Sequence, residues 1–266
     1  MRTENVALRL WLLSVMLTLV LFGVWPRLDV AVSGLFHDPG RGFWLADLGV
    51  VEVPRMLLWD AAGLFCVLAA IGLTAALVLR RPALGLPARL WAFVLALFVA
   101  GPGIVVNGLL KEFWGRARPD AIVLFGGDRR FTGPFLPADQ CARNCSFVSG
   151  EAAAAMAMGI GLYVILRHLR PRLSPVVWRA GVGIAVAVPV LGAALRVVAG
   201  RHFLSDVICA GLIVVGLALL FDRLMLRAKP LRLPPFSQTS RRENTPPAAP
   251  DPVLTSPATP PIRRDT

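Results

Sequence analysis

A histidine lies between an arginine and an aspartate just before the last apolar segment, in the stretch RVVAGRHFLSD that runs from Arg196 through His202 to Asp206. If the residues from His202 onward are helical, Asp206 lies one turn away on the same face. Its carboxylate then accepts one ring N–H and leaves the other ring nitrogen free to attack phosphorus, while Arg196 supplies positive charge for a phosphate. The alternative is a juxtamembrane cluster that only marks the edge of a membrane segment.

A second basic segment, KEFWGRARP, separates Lys111 and Arg118 by about two helical turns, which places them on nearly the same helix face. Pro119 predicts the end of that helix. Lys111 stands out because Lys229 is the one other lysine of this arginine-rich chain. A compact ammonium suits one phosphate oxygen and a planar guanidinium suits two, so the segment predicts an anion site. The alternative is a pair of ordinary interface anchors.

The third segment, VSGEAAAAM, predicts a loop that turns into a helix with Ser149 as its N-cap. The first amide groups of such a helix point at an anion, and Gly150 allows close approach of the backbone. The alternative is an ordinary capped helix in which Glu151 only complements the helix dipole.

Together the three segments resemble the motifs of the type 2 phosphatidic acid phosphatase and vanadium-haloperoxidase superfamily. The patterns are K-x6-R-P at 111–119, S-G at 149–150 and R-x5-H-x3-D at 196–206, in the family's order and spacing, and the resemblance spans residues 90–225. It implies a phosphate site formed by cations, a hydroxyl and an amide: Lys111, Arg118, Arg196, Ser149 and Gly150. It also implies that His202 attacks to form a phosphohistidine, that Asp206 orients it, and that no metal or other cofactor takes part.

Two positions depart from the family pattern. The family usually has, at the position of Glu151, a histidine that protonates the leaving oxygen. Glu151 can donate that proton only if its carboxyl stays protonated, which nearby cations oppose. Glu151 is therefore interpreted either as the catalytic acid or as a side chain that orients Lys111 or an arginine. Leu195 replaces a serine before Arg196, which removes a hydroxyl donor but no charge.

The composition predicts an integral membrane protein. Hydrophobic residues make up 56% of the 266 residues, and the mean hydropathy is +0.66. Six apolar segments have the length that a bilayer core requires; they run over 8–25, 57–79, 90–110, 152–169, 176–195 and 203–226. The predicted fold is therefore an all-α polytopic membrane bundle of six transmembrane helices.

The positions of the basic residues predict which loops lie on each side of the membrane. They follow the second, fourth and sixth segments, which the positive-inside rule places in the cytoplasm; they are Arg80, Arg81, Arg89, Arg167, Arg170, Arg172, Arg179, Arg223, Arg227 and Lys229. Both termini are then cytoplasmic, and all three motifs face the periplasm of a bacterial inner membrane. The arginine-rich, lysine-poor composition favours a bacterial source. The net charge of +12 is largely accounted for by these loops and the phosphate site, so no nucleic-acid partner is predicted.

Residues 1–228 are predicted to form a six-span phosphatase domain, and residues 229–266 a disordered cytoplasmic tail rich in Pro, Thr and Arg. Cys141 and Cys145 fall in the outer loop before Ser149, where an oxidising compartment would allow a disulfide between them. A metal site there is disfavoured because no His or further Cys lies nearby.

The predicted function is hydrolysis of a phosphomonoester or pyrophosphate on a membrane lipid at the periplasmic side. The S-G-E variant and the LFHDP segment at 35–39 resemble bacterial lipid A phosphatase-like members of the family, while undecaprenyl diphosphate and phosphatidylglycerophosphate stay open as substrates. Two alternatives are a lipid phosphotransferase and a non-catalytic lipid-phosphate binder or transporter. A haloperoxidase is disfavoured because those relatives are soluble. The sequence leaves the oligomeric state open.

Overall fold

A computed structural model describes residues 2–227, so the tail predicted at 229–266 lies outside the described residues. The described part is helical apart from turns and isolated bridges. The α-helices are α1 (Arg2–Val24), α2 (Arg27–Gly34), α3 (Gly49–Val78), α4 (Ala88–Phe98), α5 (Lys111–Phe113), α6 (Gly150–Leu169), α7 (Pro175–Val198) and α8 (Leu204–Phe221). Two π-helical stretches, Val99–Leu110 and Asp222–Leu226, continue α4 and α8.

Six helical segments within residues 2–227 are long and apolar enough to cross a bilayer, which confirms the predicted all-α, six-span fold. The largest difference from the predicted bounds is at the start of the second span, and the other bounds agree to within three residues. The second span begins at Gly49 rather than at residue 57, and the third runs from Ala88 to Phe113. The sequence between 49 and 57 reads as a loop because it carries Glu52, Pro54 and Arg55, yet it forms the first turns of α3.

Small residues bring α6 and α7 close together. A Cβ atom on Gly159 would lie 2.5 Å from the carbonyl oxygen of Ala185, and one on Gly192 would lie 2.7 Å from the Cβ of Ala155. Such close backbone packing replaces the hydrophobic driving force that is absent between helices inside a bilayer. It also places the start of α6 beside the end of α7, which carries Arg196.

The segment after the third span does not form the predicted two-turn helix. The single turn α5 ends at Phe113, and Gly115 follows with φ of +70°. A Cβ atom at Gly115 would lie 1.6 Å from the carbonyl oxygen of Ala138, so this position requires glycine. Arg118 is in extended conformation. The prediction that Lys111 and Arg118 share one helix face is therefore wrong. The chain nevertheless turns at Gly115, and both side chains reach Asn144.

The last span begins at Leu204, one residue after the predicted start. His202 precedes α8 in a tight turn, and its backbone N–H donates to the carbonyl oxygen of Arg196 at 3.2 Å. Phe203 is the N-cap residue, and its N–H donates to the Asp206 carboxylate at 2.9 Å. The condition that the residues from His202 onward are helical is thus not met, because Asp206 caps the helix that starts after the histidine.

Candidate active site

The described residues enclose a cavity of about 510 Å³ at the end of the bundle where α3, α6 and α8 begin and where the third span and α7 end. Most of the predicted site residues line this cavity; they are Lys111, Arg118, Gly150, Glu151, Arg196 and His202. Ser149 and Asp206 are fully buried and do not line it. The three sequence motifs therefore meet in space.

His202 is held so that one ring nitrogen remains available. The imidazole is 1% exposed, and its Nδ1 lies 2.8 Å from the backbone carbonyl oxygen of Ser146. A carbonyl oxygen only accepts hydrogen bonds, so Nδ1 carries the proton and Nε2 keeps its lone pair. Burial lowers the pKa of His202 to about 4, against the opposing effect of Asp206, so the ring is neutral near pH 7.

Asp206 does not accept the ring N–H of His202, contrary to the prediction, although its charge acts on the ring at close range. The distance from Nδ1 of His202 to Oδ2 of Asp206 is 3.7 Å, which exceeds hydrogen-bond distance. Oδ2 instead accepts from the hydroxyl of Ser146 at 2.5 Å. Asp206 therefore fixes Ser146, and the carbonyl oxygen of Ser146 orients the imidazole.

A buried arginine that the sequence analysis did not single out supports Asp206. Arg116 donates from Nη1 to Asp206 at 2.6 Å and from Nη2 to Asp29 of α2 at 2.8 Å, and all three side chains are 0% exposed. Asp29 also accepts from the backbone N–H of Ser205 at 2.8 Å. The signal for it in the sequence is the Arg-x-Arg-Pro pattern, whose first arginine is Arg116 and whose second is Arg118.

Lys111 and Arg118 converge on one side chain. Oδ1 of Asn144 accepts from Nζ of Lys111 and from Nη2 of Arg118, each at 3.1 Å, and the backbone oxygen of Asn144 accepts from Arg118 at 3.0 Å. Asn144 lies between Cys141 and Cys145, which the structure joins in a disulfide. The disulfide loop therefore presents an oxygen-rich group to two of the predicted phosphate cations.

Ser149 and Gly150 begin α6 as expected. The Ser149 side chain accepts from the backbone N–H of Ala152 at 3.3 Å, which makes Ser149 the N-cap. A Cβ atom on Gly150 would lie 2.6 Å from Oδ1 of Asn107, so glycine permits contact with this amide of the π-helical stretch. Gly150 lies at the cavity wall, and Ser149 lies behind it.

Glu151 is paired with two arginines. Its Oε1 lies 3.2 Å from Nη1 of Arg55 and 3.5 Å from Nη1 of Arg196. Glu151 therefore joins a residue of α3 to a residue of α7 at the wall of the cavity. The buried Nε of Arg196 has no hydrogen-bond partner among residues 2–227, so this side chain keeps a donor for a ligand.

The cavity contains further polar residues that the sequence analysis did not identify. They are Asp47, Glu52, Arg55, Asn107, Asn144 and Arg201. Charged and amide side chains within apolar segments are a signal of function. The predicted span at 57–79 leaves Glu52 and Arg55 outside it, whereas the predicted span at 90–110 includes Asn107.

A neutral imidazole nitrogen at a cavity lined by cations can attack a phosphate group, and the helices around it are membrane spans. This combination fits the class of membrane-embedded phosphatases. The profile of the PAP2 superfamily matches residues 89–229. The chain belongs to the PAP2 superfamily and is a phosphoric ester hydrolase of the membrane.

Curated relatives share the sequence across most or part of the chain. The chain is 30% identical over 213 residues to a protein named Lipid A 4'-phosphatase from Francisella tularensis subsp. novicida, across 79% of this chain and 91% of that protein. Proteins of the same name from Rhizobium etli and Rhizobium leguminosarum are 41% and 38% identical over 113 and 128 residues. These two matches cover 42% and 47% of this chain, and 41% and 52% of those proteins.

The fold also resembles a solved structure. The crystal structure of a transmembrane PAP2 type phosphatidylglycerolphosphate phosphatase from Bacillus subtilis superposes with a TM-score of 0.56 at 21% identity, covering 85% of this chain and 98% of that one. This similarity supports the arrangement of the helices.

Proposed function

We propose that this protein is a lipid A 4'-phosphatase, which removes a phosphate monoester from a lipid-linked sugar. The observation that carries the proposal is His202, buried and neutral with Nε2 free, at a cavity lined by Lys111, Arg118 and Arg196. The names of the relatives supply the substrate class.

In the proposed reaction, the lone pair of Nε2 of His202 attacks phosphorus, and the bond between phosphorus and the sugar oxygen breaks. The leaving oxygen takes a proton from a water molecule, which becomes hydroxide, and a phosphohistidine forms. A second water then attacks phosphorus and breaks its bond to Nε2, which releases inorganic phosphate and restores the neutral imidazole, and the proton that this water gives up neutralises the hydroxide. Lys111, Arg118 and Arg196 stabilise the charge on the equatorial oxygens in both steps.

The ring becomes cationic when Nε2 bonds to phosphorus, and the surroundings of Nδ1 suit that change. The carbonyl oxygen of Ser146 continues to accept the Nδ1 proton, and the Asp206 carboxylate at 3.7 Å provides a nearby negative charge. This arrangement stabilises the imidazolium without a proton transfer to Asp206.

The proposed active site faces the periplasm and takes its substrate from the outer leaflet. The basic loops lie at the opposite ends of the spans from the cavity, after α3, between α6 and α7, and after α8. Such loops are retained in the cytoplasm. The cavity then opens toward the other side of the inner membrane.

The test is phosphate release by purified protein from lipid A, undecaprenyl diphosphate, phosphatidylglycerophosphate and phosphatidate. Wild type should release phosphate from lipid A, and His202→Ala should abolish release. His168→Ala is the matched control because His168 lies at the other end of α6, away from the cavity. Brief reaction with radiolabelled substrate should leave acid-labile, alkali-stable phosphate on wild type but not on His202→Ala.

Three results would contradict the proposal in different ways. Release from another lipid alone would reject lipid A as the substrate. Transfer of the label to a second lipid without free phosphate would indicate a phosphotransferase. Phosphate binding without release from any lipid would indicate a binder or transporter.

A further inference from the structure

A cation from outside the three motifs enters the catalytic cavity. Arg55 lies in the second turn of α3, outside the residues 89–229 that match the PAP2 superfamily, and lines the same cavity as Lys111 and His202. Its side chain is 23% exposed, so the guanidinium is partly accessible from the cavity. Arg201, another cation of the cavity, is paired with Asp120 at 2.7 Å.

Two carboxylates fix the position of Arg55. Its Nε and Nη2 donate to the two oxygens of Glu52, and its Nη1 donates to Glu151 at 3.2 Å. A guanidinium has five N–H donors, and these contacts use three of them. One N–H on Nη1 and one on Nη2 therefore remain for a ligand, and these two can bind two oxygens of one phosphate.

The charge of the cavity supports a role for Arg55 in binding phosphate. The lining residues carry five cations and three carboxylates, which leaves two net positive charges when His202 is neutral. A phosphomonoester carries about −1.5 to −2 charges near pH 7. Without Arg55 the cavity would offer one net positive charge to this anion. Carboxylates beside an anion site weaken binding unless they serve another purpose, and two of the three contact Arg55.

We propose that Arg55 is a substrate-binding residue whose two remaining N–H groups contact the phosphate. Glu151 is a positioning residue that holds Arg55 and Arg196 in place, and it is not the proton donor. The inference rests on the proposed function for the identity of the phosphate ester, but not for the binding of phosphate itself.

The first experiment measures binding of inorganic phosphate to the purified full-length protein from its effect on thermal stability. Arg55→Ala should weaken phosphate binding by about 10- to 100-fold, the range expected for losing charge-assisted hydrogen bonds. Arg55→Lys should recover part of the loss because it keeps the charge but not the planar fork. Arg129→Ala is the control, since Arg129 pairs with Asp128 outside the cavity. Wild-type affinity in Arg55→Ala would overturn the inference.

The second experiment separates the two interpretations of Glu151. Glu151→Gln keeps an acceptor oxygen for Arg55 and Arg196, the charged groups in direct contact with it, so turnover should fall less than about tenfold with an unchanged pH profile. A proton donor would instead lose about 10²- to 10⁴-fold and the basic limb of the profile. The double variant with Arg55→Ala should lose little more than Arg55→Ala alone. A loss beyond about 100-fold with an altered profile would make Glu151 the acid.

The failure of this inference differs from the failure of the proposed function. If wild type releases phosphate from lipid A and Arg55→Ala equals it in binding and in turnover, the inference alone is wrong. If no lipid is hydrolysed, the proposed function is wrong, while inorganic phosphate binding still decides the role of Arg55.

Discussion

Replacing Arg116 by methionine should destabilise the protein strongly, because two buried carboxylates lose their cation. Arg116 contacts Asp29 at 2.8 Å and Asp206 at 2.6 Å with no exposed surface on any of the three side chains. Breaking a buried ion pair by removing one partner costs about 3–5 kcal/mol. The guanidinium also lies over the ring of Phe203 at 4.3 Å, a contact worth about 1–2 kcal/mol when desolvated. We therefore expect Arg116→Met to lose at least about 3–5 kcal/mol of unfolding free energy.

The same geometry predicts that Asp29→Asn lowers stability in the wild type but raises it in the Arg116→Met variant. Asp29→Asn alone should cost about 1–3 kcal/mol, because Nη2 of Arg116 loses a charged acceptor. In the Arg116→Met background, Asp29→Asn should raise stability, because it removes an uncompensated buried charge. The two substitutions are thus expected to be strongly non-additive.

The gain in stability from Asp29→Asn in the Arg116→Met variant should also depend on pH. Burial raises the pKa of Asp29, and Arg116 opposes that rise in the wild type. Without Arg116 the carboxyl takes up a proton more readily in the folded state than in the unfolded state. Stability then falls as pH rises through the raised pKa, so the rescue by Asp29→Asn should be larger at pH 8 than at pH 5.

The assay is thermal unfolding of detergent-purified variants at both pH values, with residual phosphatase activity as a second readout. Asp128→Asn and Arg129→Met provide the control, because that exposed ion pair should contribute less than about 1 kcal/mol. The reasoning would be refuted if Arg116→Met melted like wild type, or if Asp29→Asn destabilised the Arg116→Met variant further.

Three more predictions concern the nucleophile, the disulfide loop and the orientation. Since burial lowers the pKa of His202 to about 4, protonation of His202 should reduce kcat/KM only below about pH 4. Two substrates whose phosphate groups differ in pKa distinguish this loss, which both should share, from titration of the substrate. A shared loss of kcat/KM below about pH 6.5 would contradict the geometry. Replacing Cys141 and Cys145 by alanine should raise KM several-fold with less effect on kcat, because Asn144 loses its place beside Lys111; equal kinetics with and without the disulfide would reject this role. Topology reporters fused after residues 45 and 130 should lie in the periplasm, and a cytoplasmic signal from either would reject the proposed orientation.

The sequence predicts the six spans well because hydropathy is a local property. Each span reveals itself over about 20 consecutive residues, whatever its neighbours are. The errors occur where a polar group enters a helix for a reason that lies elsewhere in the chain. Glu52 and Arg55 interrupt the apolar pattern in the first turns of α3, and Glu151, a partner of Arg55, lies 96 residues from it in sequence.

The motifs predict which residues surround the cavity but not how they contact one another. The expected contact between His202 and Asp206 assumed a helix through both, whereas capping by Asp206 starts the helix after the histidine. Ser146 therefore takes the place expected for the carboxylate at Nδ1. A hydrogen bond from a side chain to a backbone carbonyl 56 residues away leaves no trace in residue type or spacing, so sequence patterns could not identify it.

The departure from the family motif at Glu151 is explained by the contacts that this residue makes in the structure. Read as a single position, a glutamate in place of histidine looks like the loss of a catalytic group. In the structure it lies between Arg55 and Arg196, at 3.2 Å and 3.5 Å from their Nη1 atoms. A histidine there could not accept from both guanidinium groups and would add to their charge when protonated. The glutamate and Arg55 therefore form a matched pair: Glu151→His alone should lower turnover, and adding Arg55→Ala to it should lower turnover little further than Arg55→Ala does alone.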